Sequence, residues 1–196
     1  MTEKISQRLT VAMYRHGLIT EDEQDIYAYT LLVMTEQLFA MILTTVTAVM
    51  TGSVIYVFTF TGTFFLLRKS SGGYHCNTYP GCLFLSAVTL IPSVLAPLFS
   101  GFVMPWYLLT VFASAIFIIC TGSVNHPSMD WSSEEWFAAS RATRRTLLAI
   151  LAVIILLLSA NIGYEIIFCL SRGIVLDAVS ILLAKIFRQE VRPNEH

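Results

Sequence analysis

The chain has 196 residues, of which 56% are hydrophobic and only 13% are charged, and its formal net charge is −1. Together with a mean hydropathy of +0.70, this composition excludes an ordinary soluble globular domain and indicates an all-α integral membrane protein. The near-neutral charge, with no basic stripe interleaved with aromatic residues, predicts that nucleic acid is not a partner.

Residues 1–30 form the first predicted element, an amphipathic segment that lies at the membrane interface. Apolar residues recur there at helical spacing, at Ile5, Leu9, Ala12 and Met13, while basic residues fall on other faces. A solvated N-terminal helix is the alternative. Charges recur along the segment and no small-residue cleavage site follows, so a signal peptide is not expected.

Six apolar segments follow, each close to the ~20 residues with which a helix crosses a hydrocarbon core of ~30 Å. They are 31–50, 52–67, 82–100, 105–121, 146–163 and 166–187. They predict a bundle of about six transmembrane helices over residues 31–187, followed by a cytoplasmic tail, 188–196. The last span holds Arg172 and Asp177, which predict either an ion pair inside the bundle or a helix lying in the interface.

The basic residues predict the orientation of this bundle. If the N-terminus is cytoplasmic, eleven of the twelve Lys and Arg residues lie on the inner side, and the proposed outer loops contain none. The eleven are Lys4, Arg8, Arg15, Arg68, Lys69, Arg141, Arg144, Arg145, Lys185, Arg188 and Arg192. An even number of spans returns the C-terminus to the cytoplasm. The loop between the second and third spans therefore faces the inside of the cell.

That loop carries GGYHCNTYPGC, residues 72–82, which is too polar for lipid and rich in reactive groups. His75 and Cys82 are seven residues apart, or ~10.5 Å along a straight helix, whereas a thiol and its base must approach within ~3–4 Å. The Gly-Gly pair is expected to loosen the chain before His75, and the Pro-Gly pair to break the helix before Cys82. A folded loop can then bring the two side chains together.

Cys82 would fall in the first turn of the third span, where unpaired N–H groups and the helix dipole favour a thiolate. A neighbouring imidazolium favours the thiolate further, which predicts a cysteine nucleophile served by His75. Cys76 is an alternative nucleophile, but it lacks the helix-start position.

The remaining cysteines predict no second chemistry. Cys120 and Cys169 lie in apolar spans and are expected to be small packing residues, and without a C-x-x-C pair a dithiol oxidoreductase is not expected. Zinc held by His126 and the motif residues is an option in principle, but the spacing matches no standard zinc pattern. Neither a metal nor another cofactor is predicted.

Glu36 lies near the cytoplasmic end of the first span, where a carboxylate is costly unless it is paired or hydrated. It can face Arg68, orient His75 or contact substrate, or it can remain in headgroup water. Further along, DWSSEEWFAASRATRR, residues 130–145, has the acidic start and basic end of a surface helix with an N-cap at a serine.

The basic end of that helix carries Arg144 and Arg145. These two residues can attract an acidic substrate tail, or the helix can simply lie on the membrane surface with its aromatic residues at the headgroups.

The stretch RKSSGGYHCNTYPGC resembles the signature of the accessory gene regulator B family, membrane cysteine endopeptidases of Gram-positive quorum sensing. Arg68 stands seven residues before His75, Gly73 two before it, and Cys82 seven after it. The spans and the length are also similar over nearly the whole chain. The segment GSVNHPSMD, residues 122–130, is similar to a Pro-containing family segment but lacks the lysines often found there.

The resemblance implies cleavage of a membrane-associated precursor peptide through a thioester on Cys82, with His75 as the proton carrier, and closure of a thiolactone or lactone ring. It implies binding or supporting roles for Arg68 and Gly73. The partners it implies are the precursor of the autoinducing peptide, the lipid bilayer and, as one option, a second copy in a homodimer. A non-enzymatic peptide transporter or exporter, with the polar loop lining a pathway, is the alternative.

Overall fold

The structure is a computed structural model that describes residues 2–20, 23–74, 88–91, 94–95, 104–125 and 131–190. This part of the chain is helical and contains no strand. Its long helices are α1 (Thr2–Arg15), α2 (Gln24–Met50), α3 (Val54–Ser71), α4 (Met104–Thr121), α5 (Ser133–Ala160) and α6 (Tyr164–Ile186). The all-α class predicted from composition is confirmed.

Helix α1 packs against α2. Ser6 and Thr10 are buried, and the Thr10 hydroxyl is satisfied within the helix by the Ser6 carbonyl at 3.0 Å. Leu9, a member of the apolar stripe predicted to lie on the membrane, is 47% exposed.

Helix α2 runs past residue 30 without interruption. It begins after a turn in which the backbone N–H and hydroxyl of Thr20 both donate to Glu23 Oε2 at 2.8 Å. These hydrogen bonds lower the pKa of the exposed Glu23 carboxyl, and the larger effect comes from the backbone N–H of Thr20.

Helix α6 is the centre of the described bundle, because it packs against α3, α4 and α5. The main core joins these four helices through aliphatic side chains, which include Leu67, Ile118, Leu147, Ile174 and Ile181. On α3 and α5 the buried residues form one stripe at intervals of three or four, as expected for helices with a single buried face. The buried residues of α6 spread around most of its circumference.

Helix α5 joins two elements that the sequence analysis kept apart. It begins with a capping box, in which the Ser132 hydroxyl accepts from the Glu135 N–H and the Glu135 carboxylate accepts from the Ser132 N–H. It then continues for 28 residues to Ala160, which is ~42 Å at 1.5 Å per residue. The N-cap at Ser132 agrees with the prediction. The separate surface helix before the fifth span does not, since nothing in residues 140–150 ends a helix.

Within the described residues, two helices are long and apolar enough to cross a membrane, α5 and α6. Met41–Met50 at the end of α2 and Tyr107–Thr121 in α4 are shorter apolar stretches. The six-span count is therefore not confirmed, and most of the predicted third span, 82–100, lies outside the described residues. Large apolar side chains on α3, α4 and α5 are nevertheless well exposed, including Ile55, Phe112 and Leu156. Such a surface suits hydrocarbon rather than water.

Candidate active site

The C-terminus of α3 turns into a short segment, residues 72–74, which we call the anchored segment. Gly72 and Gly73 have φ values of 68° and 119°. A Cβ on Gly72 would collide with the Val124 carbonyl, and one on Gly73 would collide with the Arg68 guanidinium and lie 2.8 Å from Ser180 Oγ. Both glycines are therefore needed for backbone conformation and for close approach. They do not loosen the chain, contrary to the expectation from sequence.

Arg68 fastens this segment from the last turn of α3. Its Nη1 donates to the Gly72 carbonyl and, at 2.5 Å, to Ser180 Oγ, while Nη2 donates to the Tyr74 carbonyl. The last carbonyls of a helix and those just beyond it lack intrahelical donors, and the planar fork of a guanidinium can serve several acceptors at once. Arg68 thus fixes the path of the chain immediately before His75.

Helix α6 holds the anchored segment from the other side. The Tyr74 N–H donates to the Ser180 carbonyl at 3.0 Å, and the Tyr74 ring packs on Phe187 with centroids 5.3 Å apart. One turn earlier on α6, Asp177 accepts a 2.7 Å hydrogen bond from the Ser71 hydroxyl. Asp177 and Ser71 are both fully buried.

A third support comes from the chain after α4. The Val124 N–H donates to the Ser71 carbonyl at 2.8 Å, and Thr143 of α5 donates to Ser70 Oγ at 2.9 Å. The Trp136 indole N–H donates to the Ser123 carbonyl at 2.6 Å. The first residues of the GSVNHPSMD segment therefore pack on the end of α3, in the absence of any lysine.

The predicted site residues fall into three groups. Arg68 and Gly73 come together, as described. Arg144 and Arg145 are exposed on α5, directly after the buried Thr143 that contacts α3, and no ion pair to either is found in the described part of the chain. Glu36 lies in α2, but its side chain is outside what the structure describes.

The proposed reactive residues are also outside the described residues. They are His75 and Cys82, together with the alternatives Cys76 and His126. The described residues before this motif end at Tyr74, so the structure defines the path of the chain up to the residue that precedes His75. Among the described residues no group of three His, Cys, Asp or Glu side chains is placed to hold a metal.

The two charges of the last span are not paired with each other. Asp177 contacts Ser71 and interacts electrostatically with Arg68, whereas the Arg172 guanidinium lies 5.8 Å from the centroid of the Phe168 ring. The second predicted option, a helix in the interface, is not supported either, since α6 is central. Cys169 is fully buried, as expected for a packing residue, but Cys120 is exposed on the outside of α4.

Sequence reasoning missed the partners that hold the anchored segment. Asp177 was noticed only as a charge in an apolar span, and Ser180 and Val124 carry no sequence signal, because their contacts join residues 53 to 112 positions apart. A buried acid five residues from Arg172, the nearest basic residue of its own helix, was the one available hint of a distant partner.

Comparison with known proteins assigns the chain to a family. The family model described as accessory gene regulator B matches residues 2–183. No curated protein and no solved structure matches the chain. The match covers far more than half of the sequence and includes Arg68, the anchored segment and the motif that follows it. The protein therefore belongs to the accessory gene regulator B family.

Proposed function

We propose that the protein is a membrane-embedded cysteine endopeptidase that cleaves the C-terminal part from a precursor peptide and promotes its cyclisation to an autoinducing quorum-sensing peptide. Family membership implies a role in the processing or export of autoinducing peptides. The observation that favours processing is the anchored segment. Arg68 and α6 fix the backbone up to Tyr74, as a catalytic histidine at the next position requires.

In the proposed reaction, the Cys82 thiolate attacks the scissile carbonyl and forms a tetrahedral intermediate. Its collapse breaks the C–N bond, the His75 imidazolium gives its proton to the leaving amine, and a thioester acyl-enzyme remains. The side chain of a substrate Cys or Ser then attacks the thioester, and its proton passes to His75. Cys82 is released as a thiolate, and the product is a thiolactone or lactone. Thiol–thioester exchange is nearly neutral in energy, whereas hydrolysis is strongly downhill, so a site that excludes water favours the ring.

The proposed location is the cytoplasmic rim of a six-span bundle with both termini inside the cell. Contacts between α3, α5 and α6 support this location, because they join Ser71 to Asp177 and Ser70 to Thr143. They place the C-terminal ends of α3 and α6 beside the first half of α5. Lys69, Arg144, Arg145 and Lys185 therefore gather at one end of the bundle, where the positive-inside rule expects them.

Cys82→Ala and His75→Ala test the chemistry. Each variant, purified and placed in lipid nanodiscs, should fail to release the C-terminal fragment from a synthetic precursor, and only the wild type should give a mass increase on Cys82 corresponding to an acyl-enzyme. Cys76→Ala is the matched control and should process normally. Processing at the wild-type rate by Cys82→Ala would exclude this nucleophile, and movement of uncleaved precursor into sealed proteoliposomes that carry this variant would favour the transporter.

A further inference from the structure

Asp177 is a buried acid in α6, a predominantly apolar helix. Its side chain is fully inaccessible to solvent, and its Oδ1 accepts from Ser71. Its Oδ2 is buried and has no hydrogen-bond partner among the described residues. Burial of a carboxylate that is only partly hydrogen-bonded is unfavourable compared with burial of an apolar side chain. A bundle that needed only packing at this position would be more stable with an aliphatic residue.

The position of Asp177 along α6 relates it to the motif. Asp177 and Ser180 are three residues apart, so they share a face and differ by ~4.5 Å in height. The chain from Ser71 to Tyr74 follows that face: Ser71 binds Asp177, Tyr74 binds Ser180, and the Tyr74 ring reaches Phe187. Only one peptide unit, ~3.8 Å between Cα atoms, separates Tyr74 from His75.

Charge connects Asp177 to the same segment by a second route. The Arg68 guanidinium, which donates to the carbonyls of Gly72 and Tyr74, interacts electrostatically with Asp177 and shares Ser180 Oγ with the Tyr74 N–H. Asp177 therefore offers Arg68 an opposite charge in a region of low dielectric, where such an interaction is strong.

We propose that Asp177, together with Ser180, is a positioning residue of the catalytic motif, which acts through Ser71 and Arg68 to fix the anchored segment from which His75 follows. This inference rests on the proposed function. Neither residue touches the reacting atoms. Their effect on the rate comes from geometry, since a displacement of ~1 Å at a catalytic group can cost about a hundredfold in rate.

Asp177→Asn is the first test, because it preserves shape and removes charge. In nanodiscs with synthetic precursor, kcat should fall roughly ten- to a hundredfold while KM stays within about twofold. Ser180→Ala, which removes one acceptor of Arg68, should give a smaller fall in kcat. Ser171→Ala is the matched control, since Ser171 is a buried serine of the same helix whose hydroxyl has no partner among the described residues. It should retain the wild-type kcat.

Two further measurements distinguish positioning from a general loss of structure. Alkylation of Cys82 by iodoacetamide at pH 7, followed by mass spectrometry in a Cys76→Ala background, should slow toward the rate of an ordinary thiol in Asp177→Asn but not in Ser171→Ala. Ser71→Ala and Asp177→Asn should be non-additive in kcat when combined, because one removes and the other weakens the same contact between Ser71 and residue 177. If Asp177→Asn does not reach the membrane, Ser71→Ala and Ser180→Ala carry the test.

The outcomes separate this inference from the proposed function. If Cys82→Ala is inactive while Asp177→Asn, Ser71→Ala and Ser180→Ala keep the wild-type kcat and Cys82 reactivity, Asp177 has no positioning role and the endopeptidase stands. If Cys82→Ala remains active, the proposed function fails first. Equal losses in Ser171→Ala and Ser180→Ala would reduce the effect to packing of α6 and overturn the inference.

Discussion

At the scale of single residues, the anchored segment shows how two glycines and one arginine create a defined path after a helix. Gly73 has a positive φ of 119°, and its missing Cβ leaves the space that the Arg68 guanidinium occupies. Arg68 can then reach the carbonyls on both sides of Gly73. Arg68 and Gly73, which stand seven and two residues before His75, are therefore in direct contact with each other.

Gly73→Ala should therefore be severe for activity. The new Cβ would overlap the Arg68 guanidinium, and the positive φ adds strain of about 1–3 kcal/mol. Displacement of Arg68 frees the chain before His75, so the cleavage rate at saturating precursor should fall about a hundredfold. Gly62→Ala is the control, because a Cβ at Gly62 meets no atom within 4 Å. Wild-type rates in Gly73→Ala would show that the close contact with Arg68 is dispensable.

At the scale of helices, periodicity and hydropathy predicted what depends on local sequence. The ends of α3 and α4 lie within four residues of the ends of the predicted spans, and the N-cap of α5 is Ser132. Both features could be predicted because apolar runs and helix caps depend on residues close together in sequence. The continuity of α5 was missed, since a change from polar to apolar composition was taken as a break. A helix can continue through such a change as long as no residue breaks its backbone hydrogen bonds, and residues 133–160 contain neither Gly nor Pro.

The partners of the anchored segment could not be predicted in this way. Asp177 and Ser71 are 106 residues apart, and their hydrogen bond depends on how α3 and α6 cross. The two helices approach closely at Gly173, where an added Cβ would lie 2.5 Å from Thr63 Cγ2 and 2.8 Å from Thr63 Cβ. Small residues let helices in a membrane approach closely, but the sequence of one helix does not reveal which helix approaches it.

Gly173→Ala tests the importance of this crossing. The extra methyl group should push α3 from α6 and lower the free energy of unfolding by about 1–3 kcal/mol, as overpacking in cores commonly does. Thermal unfolding in detergent measures the loss. Thr63→Ser removes the methyl group in closest contact and keeps the hydroxyl that donates to Thr59, so it should restore part of the stability. A Gly173→Ala protein as stable as the wild type would mean that the two helices do not depend on this close approach.

At the scale of the whole molecule, basic residues and the anchored segment lie at the same end of the bundle. Arg144 and Arg145 are exposed on α5, and the neighbouring Thr143 contacts the end of α3. The outward-facing arginines therefore stand close to the proposed reaction site without taking part in its internal hydrogen bonds. A precursor that lies on the membrane would meet them by diffusion in the same plane, at high effective concentration, and an acidic precursor tail would be attracted by their charge.

Arg144→Glu combined with Arg145→Glu should accordingly weaken binding more than chemistry. We expect KM for an acidic-tailed precursor to rise about tenfold or more, since reversal of two charges replaces attraction by repulsion, while kcat at saturation changes little. Single-turnover cleavage at varied precursor concentration separates the two effects. The increase in KM should shrink as salt is raised from low to physiological ionic strength, because exposed charges are screened over ~8–10 Å under those conditions.

The control variant keeps the charge and changes the side chain: Arg144→Lys with Arg145→Lys should retain a KM near that of the wild type if long-range attraction is what matters. A large increase in KM in this variant would instead indicate bidentate recognition of a carboxylate by guanidinium groups. If the double charge reversal leaves the concentration dependence unchanged, the two arginines serve only to orient the protein in the membrane. Recognition of the precursor must then lie among the helices themselves, beside the anchored segment.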